Sequence, residues 1–297
     1  MQPKANWLEM FPDEFVARRD ARPVCYIAYG LAEPHGAYNA LGLDELKAQG
    51  LIEATVREYG GIAAPPSGWH IQEIPEFHDD GHGHGWLVDV GVQRSLATAL
   101  PPDLFYRMVL HQIRAIDAAG FHAAVLVTGH YGGLEIVLRR LCDYYTRRSG
   151  SPLRLRAIAD NEAIDTHLPL RGDHAGPCET SQLMALRPEL VDLERRTVPA
   201  ELGTHFAAGV NFDTGRQPDA AIGQEIVASQ IRNLGAMGQE LLAEFSPREN
   251  WRVPNQHDVD AIWDRFDRLT RRYWTFTYQE YKEGKAFKFP TWEELAD

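Results

Sequence analysis

The stretch Glu33-Pro34-His35-Gly36-Ala37-Tyr38-Asn39-Ala40-Leu41-Gly42-Leu43-Asp44 carries an imidazole between two carboxylates. Carboxylate oxygens suit hard or borderline divalent ions, and a neutral imidazole nitrogen among them shifts the preference towards Zn²⁺, Mn²⁺ or Fe²⁺. Taken alone, a loop of this kind is more often a polar surface turn, so its weight depends on what meets it. A second loop, Thr128-Gly129-His130-Tyr131-Gly132-Gly133, offers a His among glycines that let a backbone approach closely. A third, Gly172-Asp173-His174-Ala175-Gly176-Pro177-Cys178-Glu179-Thr180-Ser181, offers two carboxylates and an imidazole. By itself Glu179 reads as a favourable charge at a helix start.

The elements around these loops decide whether they can meet. Val24-Cys25-Tyr26-Ile27-Ala28-Tyr29 reads as a strand, and Ala123-Ala124-Val125-Leu126-Val127 as a second, short and apolar enough to be a buried parallel one. Leu153 to Ala159 reads as a third, ending in Asp160-Asn161, and Ile62-Ala63-Ala64 as a brief further strand. Between them lie helical patterns. Leu43, Leu46, Leu51, Ile52 and Val56 mark a helix or helix pair, interrupted near Gly50 and closed by Gly60-Gly61. Pro101-Pro102-Asp103 opens a helix with Phe105, Val109, Ile113 and Ile116 on one stripe, and Leu134 to Tyr145 carries the next. Gln182 to Leu186 and Ala221 to Phe245 follow, while residues 1 to 22 read as an amphipathic helix with Phe11, Phe15 and Val16 at helical spacing. Strands alternating with helices predict an α/β fold: a three-layer arrangement with a mostly parallel sheet flanked by helices. Parallel strands with crossovers of one hand put the loops after them on one sheet edge, the strand C-terminal edge, where such sheets place their active sites.

Residues 67–95 have no clear period and are rich in Gly and His, with Trp69, His70, His78, His82, His84 and Trp86. A tract of this length is an active-site cover or a solvated insertion. From about Trp251 the character changes. Trp263, Phe266, Leu269, Tyr273 and Trp274 form a stripe, and Tyr278, Tyr281, Phe287, Phe289 and Trp292 follow. Residues 1–250 are therefore read as the main domain, and 251–297 as an aromatic-rich extension packing on the body or on a neighbouring subunit.

With 297 residues and 44% hydrophobic composition the chain can bury a sizeable core. A formal net charge of -12 argues against a nucleic-acid partner or an anionic membrane surface, both of which need a basic field. No stretch has the length and apolarity of a bilayer span, and the first residues lead into no long apolar run. Cys25, Cys142 and Cys178 are widely spaced, form no Cys-x-x-Cys pair and are odd in number, which fits a reducing cytoplasm. No Walker loop, Gly-x-Gly-x-x-Gly fingerprint or Gly-x-Ser-x-Gly elbow supports a nucleotide cofactor or serine-hydrolase chemistry.

Three motifs in order carry a resemblance to the creatininase (creatinine amidohydrolase) family: Glu33-Pro34-His35-Gly36 with Asp44, Gly129-His130, and His174-Ala175-Gly176-Pro177-Cys178-Glu179-Thr180-Ser181. It covers roughly residues 20–245. The resemblance implies two divalent metal ions, Zn and/or Mn with Fe as an option, held by Glu33, His35, Asp44 and His130, the Asp bridging. Creatininase itself takes a further ligand from a Glu where this chain has Gly132, and Glu179 is the expected replacement. The resemblance also implies His174 as proton shuttle, with Asp173 and Tyr131 orienting it or the substrate. The function expected is a metal-dependent hydrolase that directs a hydroxide shared by the metals at a small cyclic amide or related carbonyl. Hydrolytic ring opening of a cyclic polyol ketone, of the keto-inositol type in sugar catabolism, is the second possibility, and a non-catalytic metal-binding scaffold the third. A small-molecule substrate and a homo-oligomer, a hexamer among the options, complete the expectation. Pro34 and Leu134 stand where the family often has Gln and Asn, so creatinine itself is a poor substrate candidate.

Overall fold

The computed structural model describes residues 4–71, 97–131, 134–195, 216–271 and 291–292. Among these, four strands form one parallel sheet: β1 (Val24–Tyr29), β2 (Ile62–Ala63), β3 (Ala123–Thr128) and β4 (Arg154–Ala159), in the order β2-β1-β3-β4. The register aligns Tyr29 with Thr128 and Thr128 with Ala159, so β1, β3 and β4 end level with one another. Seven α-helices accompany them: α1 (Pro12–Ala21), α2 (Leu43–Tyr59), α3 (Pro102–Ala118), α4 (Leu134–Ser149), α5 (Pro177–Leu186), α6 (Ala220–Ala243) and α7 (Gln256–Thr270). No helix among the described residues is long and apolar enough to cross a membrane.

Successive strand residues point to opposite sheet faces, and the apolar composition of the strands serves both. Cys25, Ile27, Tyr29, Ala124, Leu126 and Ala157 join Phe105, Val109, Ile113, Leu138 and Leu141 of α3 and α4 in one core. Val24, Tyr26, Ala28, Ala123, Val125 and Val127 join Leu51, Ile52 and Val56 of α2 and Leu234 and Leu241 of α6 in the other. The three-layer α/β architecture expected from the alternation of patterns is therefore present. The described part of the C-terminal tail adds to the first core, since Val259, Trp263 and Phe266 of α7 are buried there and Trp292 packs on Tyr144 with ring centroids 5.0 Å apart. The remaining tail aromatics, Tyr273 to Phe289, lie outside the described residues.

Helix starts follow local chemistry. Pro12, Pro102 and Pro177 each occupy a first-turn position, where the missing N–H costs nothing. Asp219 caps α6 by accepting from the Ala221 and Ile222 N–H groups at 2.7 and 3.1 Å. Two expectations are corrected. Gly50 does not interrupt α2, which runs unbroken from Leu43 to Tyr59, since one interior glycine weakens a helix by only about 1 kcal/mol; a Cβ there would lie 3.3 Å from the Leu186 side chain of α5. The N-terminal segment is a single 3-10 turn (Trp7–Glu9) followed by α1, and its apolar residues do not form a buried stripe: Phe11 and Val16 are exposed, while Phe15 packs against Trp7 and Phe121.

The feature that matters most for the site is how closely α2 starts against the strand ends. A Cβ at Gly30 would collide with the backbone of Asp44 and Glu45, and one at Gly129 with the Asp44 carbonyl oxygen. Both glycines are needed for close approach of backbone to backbone. Gly129→Ala is expected to destabilise the protein by about 1–3 kcal/mol through overpacking, seen as a lower urea midpoint. Gly42→Ala, where the new Cβ meets only the Leu46 side chain at 3.6 Å, should cost clearly less, and equal costs would contradict this packing account.

Candidate metal centre

The turn after β1 brings Glu33 and His35 back towards α2. The Glu33 N–H donates to the Leu41 carbonyl at 2.9 Å, and Gly36 adopts a φ of 71°, in the region that favours glycine. The Asn39 side-chain amide donates to the His35 carbonyl at 3.1 Å and to Thr180 Oγ1 at 3.0 Å, tying this turn to α5. Asp44 lies in the first turn of α2, His130 just past β3, and Glu179 in the first turn of α5. Three separate loops thus deliver five ligand-type side chains to one place, and all five are buried.

The geometry is that of a shared carboxylate. Asp44 Oδ1 lies 3.2 Å from His35 Nε2, and Asp44 Oδ2 lies 3.1 Å from His130 Nδ1, which is also 3.1 Å from Glu33 Oε1. Glu179 Oε2 and Glu33 Oε1 each stand 3.7 Å from His35 Nε2. Two overlapping triads share Asp44, Glu33–Asp44–His130 and His35–Asp44–Glu179, and a third group, Glu33–His35–His174, includes the partly exposed His174; in each the ligand atoms lie within 4.8 Å of one another. Glu33 Oε1 and His35 Nε2 are buried without hydrogen-bond partners, which is costly unless something else satisfies them. His35 Nδ1 lies 3.0 Å from the Glu33 carbonyl oxygen, which claims the proton there and leaves Nε2 to face the carboxylates. The donor set and its orphaned atoms fit a divalent ion in each triad.

The electrostatics agree. Burial lowers the pKa of His35, but Asp44, Glu33 and Glu179 outweigh it and carry the imidazole to about 9. Burial likewise opposes the charging of His130, yet Glu33 and Asp44 hold it well above the ordinary value. Burial would raise Asp44, but His35, His130 and Lys47 keep it well below the usual carboxylate range. Without metal the site holds protons where a metal would place charge.

His174 occupies the solvent side of this cluster. Its ring packs on His35 with centroids 4.6 Å apart, its Nδ1 lies 3.8 Å from Glu33 Oε1, and its side chain is 26% exposed. Asp173 accepts from the Cys178 and Glu179 N–H groups at 2.7 and 3.1 Å, holding the first turn of α5. The Tyr131 hydroxyl donates to the Asp173 carbonyl at 2.7 Å and accepts from the Asp173 N–H at 3.1 Å. In this arrangement Tyr131 and Asp173 fix the loop that presents His174 and Glu179. Gly132 lies outside the described residues, as do residues 72–95 of the His-rich tract. The described His70 is buried with its ring 5.4 Å from that of His130, and burial followed by the charge on His130 lowers its pKa to about 3, so it backs the site as a neutral ring.

Two buried residues at the site are absent from the sequence expectations. Lys47 Nζ is bonded to Glu179 Oε1, lies 3.5 Å from Asp160 Oδ2 and 3.8 Å from Asp44 Oδ1, and sits over the Tyr131 ring at 4.7 Å. Asp160 follows directly on β4, and burial raises its carboxyl to about 7 despite Lys47. The available signal was spacing: Leu43, Lys47 and Leu51 follow one another at four-residue steps, which puts the lysine in the apolar stripe of α2.

The family model "Creatininase: Creatinine amidohydrolase" matches residues 9–244. The chain belongs to the creatininase family. This is a family of metal-dependent hydrolases, and every motif residue named above lies within the matched span. Among solved structures, one described as "Creatininase Mn" superposes with a TM-score of 0.60 at 20% identity, covering 82% of this chain and 100% of that one. A creatinine amidohydrolase (creatininase) gives a TM-score of 0.59 at 22% identity, covering 82% and 99%. At these identities the superpositions speak for the fold. No curated protein sequence matches.

Because an ion needs a neutral imidazole, Zn²⁺ added to chelator-treated protein at pH 7 should release at least one proton. Calorimetry in buffers of different ionisation enthalpy measures this directly. Binding without proton release would contradict the charge state assigned to His35 and His130.

Proposed function

We propose that this chain hydrolyses a small cyclic amide or a related carbonyl compound with two divalent ions, Zn and/or Mn. The observation that carries the reading is the Asp44 carboxylate, one oxygen of which faces His35 Nε2 and the other His130 Nδ1. In two-metal hydrolases a carboxylate with ligands of both ions on its two sides is the bridging group. Relatives described as "Creatininase Mn" and as a Zn-Zn type support the choice of ions. When bound, the ions would supply a water acidic enough to attack at neutral pH and would polarise the scissile carbonyl.

The chain's own residues do the rest. Glu33 and His130 would hold one ion, His35 and Glu179 the other, and Asp44 would contribute a carboxylate oxygen to each position. Gly30 and Gly129 let the backbone at Asp44 lie close against the chain just past β1 and β3. His174, partly exposed and stacked on His35, is the group able to reach a substrate from the solvent side. It accepts the proton of the attacking water and gives it to the departing nitrogen, since an imidazole can perform both halves. Tyr131 and Asp173 act on substrate only through the loop they hold. Creatinine is not the proposed substrate, because Pro34 and Leu134 depart from the family's usual residues. Cytoplasmic location and homo-oligomeric assembly complete the reading, the first supported by three buried free thiols, Cys25, Cys142 and Cys178.

The test is turnover of a panel of lactams, cyclic ureides and polyhydroxylated ring ketones by metal-loaded protein. The expected result is hydrolysis of a lactam or ureide, abolished by chelation. His174→Ala should then lower kcat by about 10²–10⁴-fold with metal content unchanged. Cleavage of the ring ketones alone would replace the amide reading with carbon–carbon bond hydrolysis. Tight metal binding without any turnover would favour a scaffold.

A further inference from the structure

Lys47 gives the two halves of the metal centre different surroundings. Its ammonium is fully buried, bonded to Glu179 Oε1, and 3.8 Å from Asp44 Oδ1. Those two carboxylates belong to the His35–Asp44–Glu179 triad, and Oδ1 is the oxygen that faces His35. Glu179 is left with Oε2 to offer, and this oxygen already accepts the Ala175 N–H at 2.8 Å. The other triad stands in contrast. Among the described residues no lysine or arginine ion-pairs with Glu33, whose charged neighbours are His35, His130 and His174, and the ring behind His130 is the buried imidazole of His70. One dication would therefore sit among anionic oxygens with no described lysine or arginine paired to Glu33. The other would sit beside a fixed cation that has taken an oxygen from its ligand.

Resting on the two-metal reading above, we infer that Lys47 makes the His35–Asp44–Glu179 position the weaker of two unequal metal positions, leaving Glu33–Asp44–His130 as the one filled first. Asp160 belongs to the same device. Buried at the end of β4 with Nζ 3.5 Å from its Oδ2 and no hydrogen bond to either oxygen, it draws the ammonium towards the sheet. The Tyr131 ring faces the ammonium from the remaining side at 4.7 Å, and cations are attracted to such a face. Asp160 and Tyr131, which ligate neither ion in this reading, thus help Glu179 and Asp44 to hold Lys47 at the second position. The consequence is a centre whose occupancy depends on metal supply: one ion at low free metal, two when metal is abundant.

The experiment is a Zn²⁺ titration of chelator-treated full-length protein against a competing chromophoric chelator, with ion counts after dialysis at fixed free Zn²⁺. The wild type should bind two ions with separated affinities. Lys47→Met should tighten the weaker ion by roughly 10–100-fold, the scale on which groups behind metal ligands act, and leave the tighter one unchanged. Glu33→Gln should abolish the tighter one. If Lys47→Met does not fold, Lys47→Met/Asp160→Asn removes the cation together with a carboxylate it faces, and the same tightening is expected. Two ions of equal affinity in the wild type, or a weaker ion that neither lysine variant tightens, would overturn the inference while keeping the two-metal reading. Failure of the wild type to bind any Zn²⁺ would overturn both.

Discussion

The structure depends on a buried carboxylate, Asp44, being held where two imidazoles from different loops reach it. A lone ionised carboxylate removed from water is strongly disfavoured and would protonate instead. Here it remains ionised because His35, His130 and Lys47 surround it. The cost of gathering Glu33, Asp44, Asp160 and Glu179 in one dry place is offset in the metal-free protein by a lysine and two protonated rings. A divalent ion bound by these residues would do the same more compactly, displacing the ring protons. The fold's task is to make this congested arrangement the geometry of lowest energy.

That task explains several features that look unrelated. Level strand ends bring the three loops to a common height, and the two apolar faces of the sheet hold the helices that begin or end there. The bare Cα atoms of Gly30 and Gly129 let α2 start almost in contact with β1 and β3. Asp173 caps α5 from one side while Tyr131 grips the Asp173 backbone from the other, so Glu179 enters the cluster on a fixed helical turn. Each is a backbone or hydrogen-bond device placed next to a candidate ligand, and together they pre-organise the cluster.

Much of this was legible in the residues. The apolar runs at 24–29 and 123–127 announced buried parallel strands because both faces of such strands are covered. Their C-terminal ends then located Glu33, His35 and His130 on one edge. Asp44 and Glu179 needed the ordered family motifs, since spacing alone cannot distinguish a ligand from a charge at a helix start. Glu179 also illustrates why the two readings need not compete: its Oε2 takes the Ala175 N–H and still faces His35 Nε2. Lys47 escaped notice because lysine is read as a solvated residue, although its place between Leu43 and Leu51 put it on the buried stripe. Asp160 escaped for a related reason, since its role exists only relative to Lys47 on a helix more than a hundred residues earlier. Gly50 misled in the opposite direction: a glycine inside a helix pattern weakens it by only about 1 kcal/mol, and the close approach of Leu186, visible only in the fold, leaves little room for a side chain there.

The most direct test of the account is anomalous X-ray diffraction from crystals grown at saturating Zn²⁺, recorded above and below the zinc edge. The account predicts two peaks about 3.5–4 Å apart, with the Asp44 carboxylate between them, Glu33 and His130 on one peak, and His35 and Glu179 on the other. Zinc density that leaves Asp44 unbonded, or that collects away from these five side chains, would contradict it.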